Sequence, residues 1–166
     1  MKISLITVTY NSSRTLRDTI VSVLAQTYQD IEYIIIDGLS EDNTIEIIKE
    51  YEPQFEGRIR WVSEKDTGLY DAMNKGFRMA TGEIIGIINS DDLIAETTAI
   101  EKIVRCFESN SSVDAVYADL YYVAQSDTSK IVRYWKSGKQ RPFAKGWHPA
   151  CLLYTSDAAD ERSSVD

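Results

Sequence analysis

The residues of this chain that can do chemistry gather in a few short stretches. These are Thr9-Tyr10-Asn11, then Asp37-Gly38 followed by Ser40, Asp42 and Thr44, then the run from Asp66 to Gly76, and finally Asn89-Ser90-Asp91-Asp92. Adjacent carboxylates at Asp91 and Asp92, directly after the apolar Ile87-Ile88, offer hard oxygen ligands suited to Mg²⁺ or Mn²⁺. Such a cation would draw a diphosphate to the protein and neutralise it as a bond to it breaks. The same pair could instead cap the helix that follows. Tyr10, next to Thr9, offers a flat ring for stacking on a base, or it is an ordinary core tyrosine. Asp37 could accept hydrogen bonds from a base, ring nitrogen first, or serve as the turn residue before Gly38. Asn74 and Lys75 could line phosphates or a sugar, or lie on a plain amphipathic helix. His148 is the only histidine and has no visible partner, so it receives no role.

The elements around these stretches must bring them to one place. Residues 2–9, 31–37, 59–63 and 83–88 are apolar and β-branched, as buried strands are. Residues 14–26, 43–51, 70–80 and 97–109 carry apolar positions at helical spacing, with Asn11, Ser12 and Ser13 as candidate caps for the first helix. Residues 113–118, 121–124 and 130–135 also read as strands, the last two as a hairpin across 125–129. Strand–helix alternation predicts a mostly parallel sheet with helices on both faces. In such sheets ligands bind outside the carboxyl ends of the strands, which is where the polar stretches fall.

Composition narrows the function. The 166 residues carry a net charge of −8, with no Lys/Arg cluster to hold nucleic acid. No apolar run is long enough to span a membrane. Two cysteines, Cys106 and Cys151, lack metal-ligand spacing and fit a reducing compartment, so a cytoplasmic location is expected. The first strand is followed by Tyr10-Asn11-Ser12-Ser13-Arg14 rather than a glycine-rich turn, so there is neither a dinucleotide fingerprint nor a P-loop.

Taken together and in this order, Val8-Thr9-Tyr10-Asn11, Asp37-Gly38-Leu39-Ser40-Glu41-Asp42-Asn43-Thr44, Asp66 to Gly76, Thr81-Gly82-Glu83 and Asn89-Ser90-Asp91-Asp92 resemble the family 2 glycosyltransferases of the GT-A fold. The similarity covers essentially all of residues 1–150, and it is nearest to enzymes of bacterial exopolysaccharide, O-antigen and colanic-acid-type polymers. The resemblance implies an α/β GT-A domain (Rossmann-like), with Thr9, Tyr10, Asp37, Asn74 and Lys75 on the nucleotide and Asp91 and Asp92 on a divalent cation. It implies inverting transfer of a sugar from a nucleoside-diphosphate sugar, UDP-linked in the first instance, to a glycan or lipid-linked acceptor. Two positions depart from the pattern. Asn89 stands where the acidic motif often begins with Asp, and Met73 stands where relatives often carry a basic residue. Competing readings are a sugar nucleotidyltransferase on a related fold and a non-catalytic nucleotide-binding module.

Residues 151–161 resemble a translated sequencing-library adapter of the transposase type. Residues 151–166 are therefore expected to be a non-native, disordered tail behind a nucleotide-sugar-binding part at 1–150. The catalytic base is expected beyond Ala150. So are the acceptor wall and any peripheral attachment to the inner face of a membrane.

Overall fold

The computed structural model describes residues 1–137. The chain forms two compact units, Met1–Ser111 and a second beginning at Ser112.

The first unit is built on four parallel strands, β1 (Ile3–Thr9), β2 (Ile31–Asp37), β3 (Ile59–Ser63) and β4 (Ile84–Ile87), in the order β3-β2-β1-β4. Every residue of β1 and β2 is buried. That is why their sequences are unbroken apolar runs: a central parallel strand is covered on both faces. Successive side chains alternate between those faces. Leu5, Tyr33 and Ile35 pack with Leu16 and Ile20 of helix α1 (Leu16–Leu24), Ile48 of α2 (Thr44–Tyr51), and Ile100 and Val104 of α4 (Ala99–Ser109). Ile6, Val8, Ile34 and Ile36 pack against Ala72 and Met73 of α3 (Leu69–Met79) on the other face. Gly76 lets α3 lie this close, since a Cβ there would stand 2.5 Å from Ile6 Cγ2.

A buried carboxylate ties the amino ends of the strands together. Glu32 of β2 accepts hydrogen bonds from Ser4 Oγ (2.6 Å), Thr81 N (2.5 Å) and Thr81 Oγ1, and pairs with Lys2 Nζ at 3.0 Å. Burial works against its charge, but these donors prevail and hold the carboxyl down at about 2. At the far edge β4 leaves Ile85 and Ile87 exposed, whereas β3 carries Arg60, which bonds to the Met79 carbonyl.

The four expected strands and four expected helices of this unit all form, with shifts at their ends. Helix α1 begins at Leu16 rather than residue 14, because Thr15 N and Leu16 N both donate to the Ser12 carbonyl and close a turn first. Its expected serine or asparagine cap is not made, since Thr15 sits at the cap position and its hydroxyl donates back to the Ser12 carbonyl instead of capping the helix. In the second unit the strand expected over residues 113–118 is absent: these residues have no ladder partner among the described residues, and a strand exists only with one. The hairpin is present as antiparallel β5 (Leu120–Ala124) and β6 (Asp127–Trp135). Its turn is tighter than 125–129, with Ala124 already opposite Asp127, and Tyr121 stacks on Tyr134 across the strands at 5.0 Å. His148 lies outside the described residues.

Candidate functional site

Because the four strands run parallel, their carboxyl ends share one edge. Thr9, Asp37 and Ser63, the last residues of β1, β2 and β3, stand in one row of the ladder. Asp37 is fully buried there. Its Oδ1 accepts from Ser40 Oγ at 2.5 Å, and its Oδ2 accepts from Ser40 N at 3.0 Å and Ser63 Oγ at 2.6 Å. The carboxylate thus holds the β2–α2 loop to β3. The Thr9 hydroxyl beside it is buried without a hydrogen-bond partner among the described residues.

The loops after β1 and β2 are stitched to each other. Asn11 N donates to Ser40 Oγ (2.7 Å), Glu41 N to Asn11 Oδ1 (2.9 Å), Ser12 N to Thr44 Oγ1 (2.9 Å) and Ser13 N to Asp42 Oδ2 (3.0 Å). Asp42 also accepts from Thr44, and although burial opposes its charge, the Thr44 and Ser13 bonds keep it near 2. These bonds hold Asn11 and Leu39 in left-handed backbone, φ +50° and +62°. For leucine that conformation costs on the order of 1 kcal/mol.

The stitched loops present Tyr10, which is 61% exposed, so it is not a core tyrosine. Next to it lies Gly38. A Cβ on Gly38 would stand 2.7 Å from Asp66 Oδ2 and 3.5 Å from Tyr10 Cδ2. Asp66 and Tyr10 therefore flank the bare α-carbon of Gly38. Asp66 Oδ1 accepts from Gly68 N (2.9 Å) at the start of α3, while Oδ2 has no hydrogen-bond partner among the described residues. The β3–α3 loop that carries Asp66 is braced by Lys75, whose Nζ reaches Glu64 Oε1 at 3.0 Å, the Lys65 carbonyl at 2.8 Å and Asp71 at 3.8 Å. Lys75 thus meets two carboxylates of its own chain. Asn74 is exposed on α3.

After β4, Asp91 is exposed and Asp92 is half-buried. Asn89 Nδ2 donates to Asp92 Oδ2 at 2.9 Å, and Ser90 Oγ shares a hydrogen bond with Ser12 Oγ at 3.0 Å, which joins this turn to the β1–α1 loop. Burial first, and the charge of Asp91 as well, push the Asp92 carboxyl upward. No cluster of three acidic, histidine or cysteine ligands occurs among the described residues. Two adjacent carboxylates, one exposed and one half-buried, offer hard oxygen donors, so the donor set fits a divalent cation such as Mg²⁺ or Mn²⁺.

The structure therefore gathers Thr9, Tyr10 and Asp37 at one edge and links the Asp91–Asp92 turn to it through Ser12. Asp66 was not among the expected site residues. In sequence, Asp66 lies in a stretch able to do chemistry but receives no role of its own; its position over Gly38 is tertiary information. No helix of the described residues is long and apolar enough to cross a membrane.

A mostly parallel sheet with helices on both faces and acidic turns at its carboxyl edge is the architecture of the GT-A glycosyltransferases. The sequence profile of Glycosyl transferase family 2 matches residues 4–155, and the chain belongs to that family. It is 36% identical over 117 residues to an uncharacterized glycosyltransferase of Nostoc sp., covering 70% of this chain and 36% of the relative. It is 31% identical over 117 residues to a PGL/p-HBAD biosynthesis glycosyltransferase of Mycobacterium bovis, covering 70% of this chain and 46% of the relative. The chain thus spans less than half the length of these relatives. Among solved structures, S. aureus TarS 1-349 in complex with UDP-GlcNAc superimposes with a TM-score of 0.61 at 23% identity, over 66% of this chain and 32% of that one. The mannosyltransferase PcManGT of Pyrobaculum calidifontis, in complex with GDP-Man and Mn²⁺, gives 0.61 at 22% identity, over 74% and 35%.

Proposed function

We propose that this chain supplies the donor-binding part of an inverting glycosyltransferase that moves a sugar from a nucleoside-diphosphate sugar, UDP-linked in preference, to a glycan or lipid-linked acceptor. The observation that carries the reading is the meeting of an exposed Tyr10, a bare Gly38 and the Asp91–Asp92 turn at one sheet edge in a family 2 chain. UDP-GlcNAc in TarS and GDP-Man with Mn²⁺ in the mannosyltransferase support the donor class.

Each part has a role that follows from its surroundings. Tyr10 stacks on the base. Thr9 and Asp37 form the floor of the base pocket, Asp37 by fixing Ser40 and Ser63. Asn74 faces the phosphates or sugar, and Lys75 holds the loop between β3 and α3. Asp91 and Asp92 would hold a divalent cation, which supplies positive charge against the diphosphate. In the transfer, an acceptor hydroxyl oxygen bonds to the anomeric carbon from the side opposite the diphosphate. Its proton passes to a carboxylate base, and the anomeric C–O bond to the diphosphate breaks. Neither Glu64 nor Asp71 is offered as that base, since both are paired with Lys75.

Calorimetry on the full chain tests this reading. UDP is expected to bind in the presence of Mn²⁺ and to lose affinity when a chelator is added, or in the D91N/D92N double variant. Binding that is equally tight in all three conditions removes the cation from the reading. A full-length relative that releases pyrophosphate rather than nucleoside diphosphate would point to a nucleotidyltransferase.

A further inference from the structure

We infer that Asp66, not Asp37, reads the base of the nucleotide, and that it selects a pyrimidine presenting a single ring N–H, uracil or thymine. The inference rests on the nucleotide reading above and goes further by naming the group that discriminates. A carboxylate reads a base by accepting from its N–H groups, so it must present an oxygen that a base can reach. Asp37 does not. It is fully buried, and three donors from Ser40 and Ser63 already occupy its two oxygens.

Asp66 does present one. Its Oδ2 lies over the α-carbon of Gly38, beside the exposed ring of Tyr10, and has no hydrogen-bond partner among the described residues. A base stacked on Tyr10 would bring its edge to this oxygen. The geometry also explains Gly38. Its φ is ordinary, so backbone freedom is not the reason for glycine here; any Cβ would collide with the Asp66 carboxylate at 2.7 Å. Lys75 acts as a positioning residue for this group, because it grips Glu64 and the Lys65 carbonyl, the two residues that lead into Asp66.

The count of acceptors sets the preference. Asp66 Oδ1 is turned to Gly68 N at 2.9 Å, while Oδ2 lies beside Tyr10 over Gly38, so one oxygen is placed to meet a base stacked on that ring. Uracil and thymine present one N–H between two carbonyls, which a single acceptor matches. Guanine presents an N–H and an adjacent amino group, which call for two acceptors. Cytosine presents a lone pair at the same ring nitrogen, which a carboxylate repels.

Calorimetry with UDP, CDP and GDP on the full chain and its variants decides the matter. The parent is expected to prefer UDP. D66N should bind UDP roughly 10- to 100-fold more weakly, the cost of losing a hydrogen bond to a charged acceptor. It should also gain on CDP relative to UDP, because the new amide N–H can donate to the cytosine nitrogen. G38A should lose the UDP preference as well, since its methyl displaces the Asp66 carboxylate, and it does so without altering Asp66 itself. A parent that binds CDP or GDP as tightly as UDP overturns the inference. So does a D66N variant that keeps the parental UDP-to-CDP ratio, or a D37N variant that alone inverts it. A parent that binds no nucleotide at all overturns the reading of the pocket, and this inference with it.

Discussion

Replacing Glu32 with glutamine should cost this protein a large part of its stability and none of its nucleotide affinity. The side chain is 8% exposed and is held by Lys2, Ser4 and Thr81. Lowering the carboxyl from 4.5 to about 2 corresponds to roughly 3 kcal/mol of extra stability in the charged form. Lys2 and Arg60 are 39% and 47% exposed, so solvent screens their share, and about 2 kcal/mol is the expected loss. The sign with pH is fixed by the direction of the shift. A carboxyl lowered in the folded state stabilises it fully above pH 4.5, and this contribution fades as pH falls toward about 2. Urea unfolding at pH 7 and pH 3 measures both parts: the gap between parent and E32Q should narrow at the lower pH. Glu32 lies five residues before Asp37 on β2, about 17 Å along the strand, so UDP affinity should be unchanged. A gap below about 0.5 kcal/mol at pH 7, or one as wide at pH 3 as at pH 7, would refute the reasoning.

Tyr10→Ala should weaken UDP binding by about 0.5–1.5 kcal/mol in calorimetry. It should leave the melting temperature in place, because the residue is 61% exposed. Gly76→Ala should destabilise the chain by about 1–3 kcal/mol in denaturant titration, since the methyl would press into Ile6 Cγ2 at 2.5 Å beneath α3. Gly82→Ala should be at least as damaging, because its methyl meets backbone, Ser4 N at 2.6 Å and the Lys2 carbonyl at 2.8 Å, which cannot swing aside as a side chain does.

The sheet was legible in the sequence because buried parallel strands announce themselves. Ile-Glu-Tyr-Ile-Ile-Ile-Asp can hardly be anything but a strand covered on both sides, and its polar end marks the ligand edge. What periodicity does not carry is which polar atoms find partners within the fold. Asp37 and Asp66 are both acids before a turn, and only the packed loops show that one is closed over by serines while the other faces Tyr10. Lys75 is a similar case: a helical lysine near a site looks available until Glu64 and Asp71 are seen around it. Residues 113–118 mislead for the opposite reason. Their β-propensity is high, but a strand is a pairing, and its partner is not written in the segment itself.

The place of β4 at the end of the described sheet has a consequence for handling the protein at the bench. Among the described residues Ile84-Ile85-Gly86-Ile87 forms the outer strand of the sheet on that side, two of its isoleucines are over 40% exposed, and it contains no charge or proline to discourage a visiting chain. An unguarded, uncharged edge is a template for intermolecular pairing. Solutions of this chain should therefore grow turbid with concentration and time, and a single lysine at Ile85 or Ile87 should keep them clear.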